Sequence, residues 1–176
     1  IKLYRNRAMT EEYANAVDQV DEGIFSYEGY KNNGHRTTLT VGNGVTHILP
    51  YMFAGSCITS VNIPASVTEV GYNAFQYCTK LSSVNIEESS NQLTLGYQYY
   101  NTAEWGPFYD SPLTSITLKR DIKYVKDTKD KSFSPDHYKE GVFSNKHGKP
   151  TKLSLGGGLT QIIPYMFSYT GVGAAV

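Results

Sequence analysis

The sequence carries little charge. Charged residues make up 18% of its 176 positions, and sixteen Lys and Arg cancel sixteen Asp and Glu, leaving a formal net charge of zero. Nucleic-acid binders and polybasic membrane readers work through a concentrated positive field, so this balance excludes both. Cysteine is also scarce: two residues cannot build a disulfide scaffold or a four-cysteine zinc site. No apolar run approaches the roughly 18 residues that a membrane helix requires, and the apolar tail 171–176 is far shorter. Membrane insertion is therefore not expected.

Several kinds of chemistry lack their residues. His35, His137 and His147 stand in loop-like segments without metal-ligand spacing. The run Gly156-Gly157-Gly158 has no Lys-Ser or Lys-Thr behind it, so it is a turn matching Gly42-Asn43-Gly44 rather than a phosphate-binding loop. His47 and Cys57 do not make a nucleophilic pair, because His47 fills an outward slot that Glu69 and Gln161 occupy in sister segments. The expectation is a protein that is not an enzyme and needs no cofactor and no metal.

Tyrosine and glycine are abundant, at fifteen and sixteen residues, and aromatics reach 13%. That composition belongs to a folded, turn-rich β protein rather than a disordered chain. Self-similarity is the dominant signal. Val45-Thr-His-Ile-Leu-Pro-Tyr-Met-Phe53 returns 114 residues later as Leu159-Thr-Gln-Ile-Ile-Pro-Tyr-Met-Phe167. Two apolar residues three apart, followed by Phe five later, also occur as Val67, Val70, Phe75 and as Val17, Val20, Phe25. A second half-motif, apolar-x-x-apolar-x-apolar, reads Ile58, Val61, Ile63, then Leu81, Val84, Ile86, then Leu113, Ile116, Leu118. Shorter versions end in Leu39, Val41 and in Leu153, Leu155. Phenylalanines 25, 53, 75, 108, 143 and 167 mark units of about 22 to 23 residues, some lengthened by insertions.

Ser60-Val61-Asn62-Ile63 alternates, which sends Val61 and Ile63 to one side of a short strand. Three apolar residues make no core alone. Stacking the same strand from successive units at about 4.8 Å turns them into continuous apolar rows, with hydrogen bonds running between coils. The phenylalanines should then pile into a ladder, each buried ring contributing about 2 to 3 kcal/mol. The expected fold is a right-handed repeat solenoid of about five coils, built mainly from short parallel strands, with a short helical turn around Ala74 and Phe75. Cys57 and Cys78 fall at nearly equivalent positions of adjacent coils, and free, packed thiols are expected there.

The run from Ile58 through Val61, Ile63, Val67, Val70, Phe75 and Cys78, continuing through Leu81, Val84 and Ile86, resembles the BspA-like leucine-rich repeats of bacterial cell-surface proteins. The resemblance covers Val17 to Phe167 with interruptions and is best over 58–86. It implies a leucine-rich-repeat superhelix in a secreted or surface-exposed protein. It also implies adhesion-type binding to a host matrix protein or another cell-surface protein. The turn cysteine of the family, to which Cys78 corresponds, is a packing residue.

Residues 1–16 fall outside the repeat and are expected to cap it, with a short helix starting at Thr10. The solenoid then spans 17–176, with insertions at 87–107 and 126–142 that should project side by side from one edge. The first contains Tyr97, Tyr99, Tyr100 and Trp105, with Tyr109 just beyond, and the second is densely charged. Such aromatics suit a binding surface for protein or glycan, or equally a covering strand packed on the neighbouring insertion. The outward row Thr40, Asn62, Asn85, Thr117 and Ser154 reads either as a partner-binding sheet face or as an ordinary solvated one. The chain opens on Ile1 rather than methionine, so an upstream segment such as a signal peptide is expected to have preceded it. The last coil should expose apolar surface unless residues 169–176 fold over it or other sequence covers it.

Overall fold

A computed structural model describes residues 2–3, 38–100, 103–126, 142–143, 150–163, 166–167 and 170–175. The strands in chain order are β1 (Lys2–Leu3), β2 (Thr40–Val41), β3 (His47–Ile48), β4 (Ser60–Ile63), β5 (Glu69–Val70) and β6 (Ser83–Ile86). They continue as β7 (Leu93–Tyr100), β8 (Ala103–Trp105), β9 (Ser115–Leu118), β10 (Ile122–Lys126), β11 (Thr151–Leu155) and β12 (Val172–Ala175). The expected helix after Thr10, the Phe25 unit and most of the charged insertion lie outside the described residues.

Each coil contributes one strand to each of two parallel sheets. The first runs β4, β6, β9, β11, β12, all parallel, and β2 lies beside β4 with β1 paired to it. Register stacks Val61, Val84, Ile116 and Leu153 in one row, and Ile63, Ile86, Leu118 and Leu155 in the next. Alternation accounts for this directly: Val61 and Ile63 are buried while Ser60 and Asn62 are exposed. The second sheet runs β3, β5, β7, β10 in parallel, with Ile48, Val70 and Leu95 buried in register. Its strands draw together so closely that a Cβ on Gly96 would fall 2.4 Å from the Tyr72 nitrogen, and one on Gly71 2.4 Å from that of Pro50. Glycine is required at both points by the approach of the next backbone.

The third side of each coil carries the phenylalanine. Phe53, Phe75, Phe108, Phe143 and Phe167 form a ladder with ring centroids 5.2, 5.4, 5.7 and 5.7 Å apart and planes within 17° of parallel. Phe53, Phe75, Phe108 and Phe143 are wholly buried. The ladder runs on past both insertions, so the extra residues loop out without displacing the coils.

The corner around each ring is a run of turns, not the short helical turn that the spacing suggested. Met52, Ala54 and Ser56 donate their N–H groups three residues back, to Leu49, Tyr51 and Phe53. The intervening Tyr51, Phe53 and Gly55 donate instead to Tyr72, Ala74 and Gln76 of the next coil. Ala74, Gln76 and Cys78 repeat the local pattern, and Phe75 and Tyr77 bond onward to Pro107 and Tyr109. Left-handed residues at Tyr51 and Gly55, Asn73 and Tyr77, and Asp110 produce this alternation. A helix would turn every N–H along its own axis, and the coils would lose these bonds. A left-handed tyrosine is unfavourable by about 1 kcal/mol or more, and the bonds between coils hold it there.

Residues 172–175 do not fold back over the last coil. They add β12 in parallel to β11, 21 residues after Thr151 in the matching slot, from the pairing of Thr151 with Val172. Leu155 and Ile162, 39% and 55% exposed, are the exposed large hydrophobic residues among those described.

Replacing Phe75, sandwiched between two rings, with Ala is expected to destabilise the protein by about 3 to 5 kcal/mol, whereas Ile162→Ala at the exposed end should cost less than about 1 kcal/mol. Urea unfolding of the two variants checks the contrast, and similar losses in both would contradict a stacked ladder.

Candidate binding surface

The insertion at 87–107 is a strand extension with a hairpin. β7 begins in the ordinary slot, pairing Glu69 with Thr94 and Val70 with Leu95, then runs on to Tyr100. β10 accompanies it in parallel from Ile122 opposite Leu93 to Lys126 opposite Tyr97. Both insertions therefore leave the solenoid side by side, as their common position in the unit required. β8 returns antiparallel, setting Trp105 opposite Gln98, Glu104 opposite Tyr99 and Ala103 opposite Tyr100.

This register separates the aromatic residues by strand position. Positions 97 and 99 share the face of Leu93 and Leu95, which are buried. Positions 98 and 100, with 105 across from 98, share the face of Thr94, which is partly exposed. Tyr109 is not in the hairpin. It belongs to the Phe108 turn, half-buried, with its ring edge-on to Tyr77 at 5.8 Å.

The outward row is also a bonded ladder. Asn62, Asn85, Thr117 and Ser154 lie in register. Asn85 donates its amide to the Asn62 oxygen, and Asn62 donates to Glu87 Oε1 at 2.6 Å. On the second sheet, His47 and Glu69 face each other with Nε2 and Oε2 3.8 Å apart, both about half exposed. His47 therefore pairs with the carboxylate of the next coil on an exposed strand.

Cys57 and Cys78 are free and buried. The ladder matches Cys78 with Ser56 and Ser111, each three residues after its phenylalanine, rather than with Cys57. Cys78 Sγ donates to the Phe53 carbonyl at 3.1 Å and Ser111 Oγ to the Phe75 carbonyl at 2.7 Å, while Ser56 Oγ and Cys78 Sγ lie 3.3 Å apart. The slot requires a small donor that reaches back one coil, and thiol and hydroxyl both serve. Burial pushes the Cys78 thiol up from 9.0 to about 12, outweighing the lowering hydrogen bond from Ser56.

Sequence reasoning did not identify the corner between the two sheets. Arg120 is wholly buried there and reaches across two coils, donating from Nη2 to the Pro64 carbonyl at 3.0 Å and from Nη1 to that of Ala65 at 3.3 Å. Burial draws its pKa down and Glu87 opposes this; it remains a cation at neutral pH. Next to it, Asp121 accepts from Thr160 N at 2.7 Å, Thr160 Oγ1 at 2.5 Å and Gln161 N at 3.1 Å. These bonds, the Thr160 hydroxyl first, hold its carboxyl below the usual range. The signal available in the sequence was the uneven spacing between half-motifs at this corner.

Two parallel sheets, a ring ladder and coils of about 22 residues define a leucine-rich-type repeat solenoid. The BspA type leucine rich repeat region matches in six copies over residues 15–134, and the chain belongs to that family. The ring ladder carries the same repeat beyond the matched span, through Phe143 to Phe167. No curated protein and no solved structure matches the chain. Among the described residues, no helix is long and apolar enough to cross a membrane.

A native thiol with its pKa near 12, against 9.0 unfolded, binds its proton more tightly than the unfolded state does. Stability should therefore fall as pH rises from about 9 toward 12. Cys78→Ser keeps the donor and removes this titration, so its stability measured between pH 8 and 10.5 should decline less steeply than that of the parent. Parallel curves would contradict the assignment.

Proposed function

We propose that this chain is a non-catalytic, adhesion-type protein-binding module of a secreted or surface-exposed bacterial protein. We further propose that the β7–β8 hairpin supplies its contact face. Membership of the BspA-type family supports a repeat module whose surface binds protein. The observation that carries the reading is the hairpin, which departs from the repeat where a purely structural coil needs only the two or three residues of β3 or β5. Aromatic residues on a rigid strand pair offer large contact area at low entropic cost. On this reading Tyr100 and Trp105, sharing a strand face with Gln98, are the anchors. Tyr97 and Tyr99 support them from the other face, and Tyr109 forms the border with the solenoid.

Surface plasmon resonance against an array of extracellular-matrix and cell-surface proteins tests this. The parent should bind at least one of them saturably, and Tyr100→Ala with Trp105→Ala should weaken that binding at least tenfold, as loss of a hot-spot anchor does. Absence of binding across the array, or equal binding by the double variant, would overturn it. A Trp105 fluorescence shift with oligosaccharides but not with proteins would assign the face to glycan instead.

A further inference from the structure

The corners joining the two sheets differ in length. Register equates Ile63, Ile86 and Leu118 at one end, and Glu69, Thr94 and Lys123 at the other. Between these points lie five residues in one coil (64–68), seven in the next (87–93) and four in the third (119–122). The long corner overhangs the short one. Beneath it the Arg120 side chain runs back to Pro64 and Ala65, directed away from the overhang. Outside it a pocket of about 340 Å³ opens, lined by Glu88, Ser89–Gln92, Asp121, Gly158 and Thr160.

The lining has one electrostatic sign. It holds two carboxylates, three hydroxyls and two amides, with no basic and no aromatic side chain. Asp121 is fixed by its three bonds from Thr160 and Gln161. Glu88 is different: among the described residues it makes no hydrogen bond and no ion pair, and its side chain lies over Gly158. A Cβ there would meet Glu88 Cγ at 2.9 Å and the Lys119 carbonyl at 2.3 Å. Glycine at 158 thus clears the floor and gives one unpartnered carboxylate a place in a concave, hydroxyl-rich site. Among the described residues no three His, Cys, Asp or Glu gather to hold a metal ion. Anions are repelled, and no ring is present for a sugar to stack on. A compact cation with several donors, an ammonium group, meets every feature of the lining.

We propose that this corner pocket binds a primary ammonium group, that of a lysine side chain on a protein partner, with Glu88 as its principal acceptor and Asp121 and the serine hydroxyls around it. The source of the lysine rests on the protein-binding reading above, but the site is separate from the hairpin. Tyr97, where the extension outruns β10, lies about 16 Å from Gln92 along β7 at the usual strand rise.

The test is a ¹⁵N–¹H chemical-shift titration of the full chain with Nα-acetyl-lysine methylamide, with its Nε-acetylated counterpart and with glucose. The lysine derivative should shift amides of residues 88–92, 121 and 160 saturably, and the two neutral compounds should not. Glu88→Gln, an exposed substitution that leaves the coil intact, should weaken the response at least fivefold, and Trp105→Ala should leave it unchanged. No localised shift with the lysine derivative, equal shifts with either neutral compound, or an undiminished response in Glu88→Gln would each overturn the proposal. Because the probe is a free amino-acid derivative, its result stands apart from the protein array, and loss of hairpin binding cannot mimic loss of the pocket.

Discussion

Everything in this molecule depends on successive coils lying in register, so that each backbone satisfies the next. No coil buries its own apolar residues: Val61, Ile63, Val70 and Phe75 are covered only because Val84, Ile86, Leu95 and Phe108 lie above them. The turn corners make the dependence visible. Alternate N–H groups of the Phe53 turn leave their own coil and bond to the carbonyls of the Phe75 turn. Left-handed Tyr51 and Tyr77 are tolerated because these bonds fix them. Register therefore supplies the core, the hydrogen bonds and the backbone conformation together.

Under this constraint, departures from the repeat carry functional meaning. Residues inserted between the fixed points of a coil cannot enter the stack, so they leave it as strand, hairpin or overhang. The extension of β7, the hairpin with β8 and the overhang of 87–92 all arise this way, and all belong to one coil. The buried guanidinium of Arg120 follows from the same mismatch. A long corner over a short one leaves space that a long side chain fills, and its charge is met by two carbonyls that the stack had left available.

Family membership and geometry agree on the class of molecule: a leucine-rich repeat module whose interior is committed to stacking. The aromatic hairpin and the polar corner differ in chemistry. One offers broad apolar contact with a polar edge, and the other a small acidic concavity. A protein partner that engaged both would be held by area at the first and by a single charge at the second.

The sequence by itself determined the unit. The spacing of Val67, Val70 and Phe75, and of Ile58, Val61 and Ile63, marked the repeat, the strand rows and the ring ladder, because alternation and recurrence are one-dimensional properties that the chain displays directly. It also placed both insertions at the same edge. Only the tertiary structure decided that the phenylalanine corner is a run of turns, since the left-handed residues are imposed by bonds to another coil and Tyr51 and Tyr77 carry no local sign of them. It likewise matched Cys78 with Ser56 and Ser111, set Trp105 opposite Gln98, and brought Glu88, Asp121 and Thr160 together from three coils. Those groupings depend on which residues of different coils are neighbours, and neighbours across a stack are fixed by register, which a single strand of sequence does not contain.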